Sequence, residues 1–205
     1  MREDVIAERR LRVQEILASI REDLLAMDPA GLEDDCEKLD EICTITPELS
    51  SEVVTAFAEM LELEGCHRME DSLPLFMSVE FRTWEHPQPA AEERLFQALK
   101  GCFMKLSCLA SCLTCGELMV ELRPDSHVVG VLREAWEKGT GWQPRMIPNA
   151  LYTLVRDGNA VQETEAEAMR LLEEMVQSQE PEMKWEASLY LEKAKRHLAE
   201  REKEG

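Results

Sequence analysis

An all-α chain is what the sequence predicts, built of antiparallel helical hairpins stacked side by side, with a compact helical bundle as the alternative arrangement. Three observations predict it. Apolar residues recur at three- and four-residue steps, and no segment sustains the two-residue alternation of a half-buried strand. Aromatic residues are only 5% of the 205 residues, with 9 Gly and 9 Pro, which is poor material for a sheet and good material for helices. Helix pairs recur near residues 28–65, 125–158 and 162–203, a period of about 35–42 residues in the range of helical-hairpin repeats. A hairpin cannot bury its own apolar face, so each must stack on its neighbour.

The elements follow in order. From Asp4 to Met27, Ile6, Val13, Ile16, Leu17, Ile20, Leu24 and Met27 form the apolar stripe of an amphipathic helix. Asp28-Pro29 supplies an N-cap and a proline at the first helical position, and opens a helix with Leu32, Cys36, Leu39 and Ile42-Cys43 on one face. Thr46-Pro47 repeats that signal before Val53, Val54, Phe57, Met60 and Leu61, and Gly65 is placed as the terminating glycine. Leu73, Phe76, Met77 and Phe81 predict a further helix over 69–86, interrupted by Pro74, and His86-Pro87-Gln88-Pro89 breaks the pattern. Helical pattern then runs from Ala90 to Leu122, read as one kinked helix or as two meeting near Gly101 or Gly116, and ends at Arg123-Pro124.

Asp125-Ser126 caps the next helix, with Val128, Val131, Leu132, Ala135 and Trp136 inward, and Gly139-Thr140-Gly141 is a loop. Pro144 to Arg156 is a helix through Ile147, Leu151, Leu154 and Val155, followed by an Asp157-Gly158-Asn159 turn. Gln162 to Gln177 is amphipathic through Ala168, Leu171, Leu172 and Met175. Glu180-Pro181 opens the last helix, with Trp185, Ala187, Leu189 and Leu191 read as its inward set and the charged tail from Lys193 read as fraying. The organisation expected is one all-α domain over 1–205: an N-terminal helix over 1–27, a first helical half over 28–122 and a second over 125–203.

Residues 168–191 carry a resemblance. Leu171-Leu172 is followed by a turn and then by Glu180, Pro181, Met183, Lys184, Ala187 and Leu191. An acidic residue, a proline, an aliphatic position, a basic residue, then alanine and leucine at helical steps resembles a HEAT-like repeat. Glu180 and Lys184 stand where that family usually carries Asp and Arg, and Tyr190 replaces a small residue. The resemblance implies an α-solenoid scaffold that binds partners, and it implies no chemistry.

Charge narrows the function. With 23 Lys+Arg against 42 Asp+Glu the net charge is −19, which argues against nucleic acid or an anionic membrane as the partner and for a basic protein. An acidic mimic of nucleic acid is compatible with the same composition. The opening Met1-Arg2-Glu3-Asp4 leads into no apolar run of a secretory signal, and the longest charge-free stretch, Leu106 to Gly116, is well short of the ~20 residues of a membrane span. Seven cysteines in helical pattern read as reduced thiols, which points to the cytoplasm.

Four of those cysteines fall within Cys102–Cys115. On a helix Cys108, Cys112 and Cys115 share a face, and Cys112 to Cys115 is a C-x-x-C. Such thiols are the candidates for a metal or thiol-dependent site, and the alternative function rests on them. Reduced cysteine also behaves as a small buried hydrophobe, and packing is the favoured reading, with no metal and no cofactor. His67, His86, His127 and His197 lack a chelating context and read as surface or capping residues. No nucleophile elbow, P-loop or dinucleotide fingerprint is present, which leaves no residue to assign to catalysis. Trp84 and Trp142 fall at element ends and are the candidate interface anchors, whereas Trp136 and Trp185 read as core. The function expected is a non-enzymatic interaction scaffold or adaptor with an acidic surface.

Overall fold

The computed structural model describes residues 2–26, 28–63, 88–157 and 159–204. The expectations for Gly65, for a helix over 69–86, for Gly158 and for Cys66, His67, Trp84 and His86 lie outside them. Among the described residues the chain is all-α, with no strand. It divides into two compact units, Met1–Lys105 and Leu106–Gly205. The boundary between the halves therefore falls seventeen residues or more before the predicted junction at Arg123-Pro124.

The first unit contains α1 (Arg2–Ala26), α2 (Pro29–Ile45), a 3-10 turn (Pro47–Leu49), α3 (Ser50–Leu61) and α4 (Pro89–Phe103). The Asp28 carboxylate accepts from the Ala30 and Gly31 amides, as its cap sequence requires, a contribution of about 1 kcal/mol. Thr46 departs from its predicted role. Its hydroxyl accepts from Arg9 Nη1 at 2.7 Å and makes no cap bond, so Pro47 starts a 3-10 turn and α3 begins only at Ser50. Helix α1 packs on α2 and α3, and α3 packs on α4. Val13, Ile16, Ile20 and Leu24 of α1 are buried, as are Leu32, Cys36, Leu39 and Cys43 of α2. Val53, Val54 and Phe57 of α3, and Leu95, Phe96, Leu99 and Phe103 of α4, are likewise buried. Full burial of such a side chain contributes roughly 1.5–3 kcal/mol.

The second unit contains α5 (Leu109–Leu122), α6 (Ser126–Lys138), α7 (Gln143–Asp157), α8 (Gln162–Val176) and α9 (Pro181–Glu204). The predicted stretch over 90–122 is thus two helices, and they part at Met104–Cys108, just beyond Gly101 and well before Gly116. Both glycines lie inside helices. Tertiary contacts make this break. Leu106 is 1% exposed, and its carbonyl, released from helical bonding, accepts from the Gln143 side-chain amide and from the Cys112 thiol at 3.8 Å.

Helix α7 packs against α5, α6, α8 and α9, and α6 packs against α8. The helices run in two rows. Asn149 of α7 donates to the Glu117 carboxylate of α5 at 2.8 Å, and the rings of Tyr152 in α7 and Tyr190 in α9 lie 5.8 Å apart. Leu106–Gln143 at the starts and Glu117–Asn149 farther on order α5 and α7 alike, and Arg145–Glu182 at the starts and Val155–Arg201 near the ends order α7 and α9 alike, so the three run parallel. In the other row the Arg133 guanidinium of α6 bonds the Glu174 carboxylate of α8. Each return is local. Asp125 caps α6 through the His127 and Val128 amides, and Gly139 and Gly141 turn the chain into α7, with Gly141 at φ +78°.

Two predictions for α9 are corrected. Its inward set is Met183, Ala187 and Ala194, whereas Trp185 is 62% exposed and Leu189 and Leu191 are half-buried. Trp185, Ala187, Leu189 and Leu191 are spaced by two residues, about 200° on a helix, and cannot share a face. The tail does not fray: α9 continues to Glu204. Arg201 Nη1 donates to the Glu165 carboxylate at 2.7 Å and to the Val155 carbonyl at 3.5 Å. Trp136 is half-buried rather than fully enclosed.

Gly130 inside α6 and Gly139 just after its end make opposite demands. A Cβ at Gly139 would collide with the Ala135 carbonyl oxygen and press on the Pro144 ring carbons at 3.2 Å, whereas a Cβ at Gly130 meets nothing within 4 Å. Gly139→Ala should cost about 1–3 kcal/mol and Gly130→Ala should gain about 0.5–1 kcal/mol in urea denaturation. Shifts of the same sign at both positions would contradict this packing.

Candidate functional site

Among the described residues, three of the four large apolar side chains exposed in the second unit, Leu109, Trp142 and Trp185, gather where the parallel row begins, and the fourth, Val161, precedes α8. A groove of about 420 Å³ is lined by Leu109 at the start of α5, Trp142 and Met146 at the start of α7, and Pro181 and Trp185 at the start of α9. Leu109 is 43% exposed, Trp142 38% and Trp185 62%, whereas Met146 is 9% exposed and forms the floor. Helix starts bring these residues together because α5, α7 and α9 are parallel and their first turns lie level. Predicted anchor Trp142 is therefore part of this wall. Trp185, read from the sequence as core, stands opposite it. Its true position was available in the pattern: Met183, Ala187 and Ala194 follow four- and seven-residue steps, and Trp185 lies off that stripe.

Charged groups brace the groove. The Arg145 guanidinium sits 5.1 Å from the centre of the Trp142 ring and forms an ion pair with Glu182 across to α9. Its charge is thereby taken up by one carboxylate and one ring face. Glu186, also on the lining, makes no ion pair among the described residues. Burial and then the charge of Glu186 push the Tyr190 hydroxyl pKa upward one turn farther along α9.

A second cavity of about 670 Å³ opens between α8 and α9, lined by Ala160, Met169 and Leu198 and by the Glu165–Arg201 pair. The Glu165 side chain is 9% exposed and that of Arg201 42%, so an enclosed carboxylate holds a solvent-facing guanidinium at the end of α9.

The predicted cysteine face is distributed differently. Cys102 is buried in α4 of the first unit, while Cys108, Cys112 and Cys115 belong to the second. The break at Met104–Cys108 puts half-buried Cys108 at the N-cap of α5, with Cys112 and Cys115 buried one and two turns on. Among the described residues no group of three or more His, Cys, Asp or Glu is arranged to hold a metal ion. Burial, and secondarily the neighbouring Cys108, pushes the Cys112 thiol up to about 12, and burial with Asp40 does the same to Cys43. These are thiols at neutral pH, not nucleophilic thiolates. His127 is exposed in the first turn of α6. His197 is half-buried, with Nε2 enclosed and without a hydrogen-bond partner, which differs from the exposed position predicted for it.

In the first unit the charge crowds around the turn between α1 and α2. Burial raises the Asp23 carboxyl, and Asp35, Asp28 and Glu22 raise it further. Burial alone would raise Asp35 too, but hydrogen bonds from Lys38 and Ser19 hold it below the usual carboxylate range. No helix of the described residues is long and apolar enough to cross a membrane. Comparison with known protein families, with characterised proteins and with solved structures finds no match to this chain.

The Cys112 thiol has a pH signature. An unfolded thiol ionises near its ordinary value of 9.0, whereas the folded one holds its proton to about 12. Its contribution is complete below pH 9 and declines as pH rises toward 12, by about 1.4 kcal/mol per pH unit for one proton. Cys112→Ala should show a decline in denaturation free energy that is shallower by that amount. An unchanged slope would mean the thiol is not enclosed.

Proposed function

We propose that this chain is a non-enzymatic scaffold that binds a basic protein partner in the cytoplasm. The observation that carries the reading is the open groove between Trp142 and Trp185, held on rigid helix starts and rimmed by carboxylates. Tryptophan supplies large contact area with little side-chain freedom to lose, and dominates interfaces for that reason. The hairpins α6–α7 and α8–α9, with α6 packed on α8 and α7 on α9, support a stacked, HEAT-like arrangement of the second unit. The net charge of −19 favours encounter with a cationic surface and raises the association rate at low salt. An odd number of cysteines and the enclosed thiols of Cys43 and Cys112 fit a reducing compartment.

Affinity purification from the native cell, with mass spectrometry of the eluate, should recover a protein rich in Lys and Arg. Titration of that protein against the chain should lose affinity at least several-fold between about 50 mM and about 300 mM salt. Recovery of acidic partners alone, or binding indifferent to salt, would overturn the reading.

A further inference from the structure

We infer that the Trp142–Trp185 groove takes a short basic segment of the partner: one bulky aliphatic side chain seated on Met146, and one Lys or Arg within a turn of it placed against Trp185 and Glu186. This rests on the scaffold reading and specifies what the groove recognises. Three features of the groove select that chemistry. Its floor and walls, Leu109, Met146, Pro181 and the two indoles, offer apolar contact and little to a polar group. Arg145 does not recruit an anion, because Glu182 and the Trp142 ring already engage its guanidinium. The remaining charge on the lining is the Glu186 carboxylate, one residue beyond the 62%-exposed Trp185.

The groove lining offers a cation both a carboxylate, Glu186, and an exposed indole, Trp185, and each attracts it. An Arg or Lys stem also lies well on an apolar wall while its head stays in water. The partial positive charge of the converging helix starts works the other way, but it is confined to the first turn, where Glu182 already sits. Glu186 lies in the second turn, beyond most of that field. The excess of acid over base along the chain adds a long-range pull of the same sign.

The experiment uses the full chain and a random peptide library of about twelve residues displayed on phage, a length that spans roughly three helical turns. Selection should enrich sequences with Leu, Ile, Val or Met next to, or three to four residues from, Lys or Arg. A synthetic peptide from that set should bind with a Trp fluorescence change and lose at least about tenfold in affinity to Trp185→Ala, whose side chain is exposed enough to remove without unfolding α9. Circular dichroism checks that fold. Selection repeated on Glu186→Arg should turn the charge preference toward Asp and Glu, a reversal that general loss of structure would not produce. Enrichment of acidic or uncharged peptides, enrichment of none, or equal binding to Trp185→Ala would overturn the assignment. Self-association of the chain abolished by Trp185→Ala would replace the basic segment with a second copy and overturn it too. If a basic partner binds Trp185→Ala undiminished, the groove assignment fails while the scaffold reading stands. If no basic partner is recovered at all, the scaffold reading itself fails.

Discussion

The second unit depends on the bond between the Gln143 side-chain amide and the Leu106 carbonyl. Both residues are buried, at 4% and 1% exposure, and the carbonyl has left helical pairing. A buried carbonyl without a donor costs about 1–3 kcal/mol, so the irregular turn at Met104–Cys108 persists because Gln143 and Cys112 reach it. The same bond ties the segment entering α5 to the first residue of α7. It therefore sets the two helix starts level, and those starts are the walls of the groove. A break placed near Gly116 would have left Leu109 inside a helix rather than at a helix start.

Polar links then hold the rows in step. Asn149–Glu117 joins α5 to α7, Arg145–Glu182 joins α7 to α9, Arg133–Glu174 joins α6 to α8, and Arg201–Glu165 joins α9 to α8. Exposed pairs of this kind contribute about 0–1 kcal/mol each, so their weight lies in register more than in stability. Packing of Leu132, Ile147, Leu151, Leu154, Leu171 and Leu172, all 1% exposed or less, carries the energy. The Glu165–Arg201 pair differs because Glu165 is enclosed. It also explains why a highly charged tail continues as helix to Glu204 instead of dissolving into solvent.

Function in this reading comes from what the core leaves outside. Trp185 is exposed because Met183, Ala187 and Ala194 already fill the inward stripe of α9. Its exposure beside Trp142 is a consequence of helix phase and of the level starts of α7 and α9. Cysteine follows the opposite logic. Cys112 is enclosed, its thiol is driven to about 12, and it spends its hydrogen on the Leu106 carbonyl, so it serves the turn.

Local signals were legible residue by residue. Asp28 and Asp125 cap α2 and α6 because a carboxylate before the first turn satisfies amides that no other part of the helix can reach. The stripes of α3, α7 and α8 were read at their true positions, and those of α1 and α6 for most of their residues, because 3.6-residue periodicity is written into one segment at a time. Thr46 shows where that reasoning stops: its neighbours said cap, but Arg9, thirty-seven positions away, took its hydroxyl. Gly101 points to the neighbourhood of the break, but its place at Met104–Cys108 turns on Gln143, which supplies a donor from another helix, and on Cys112. The amino-acid sequence by itself determined the helices, most of their buried faces and the acidic surface, since these follow from local spacing and composition. Tertiary structure decided where the long helix parts, how far the last one runs and which two tryptophans meet, since each of these turns on a contact between residues distant in the chain.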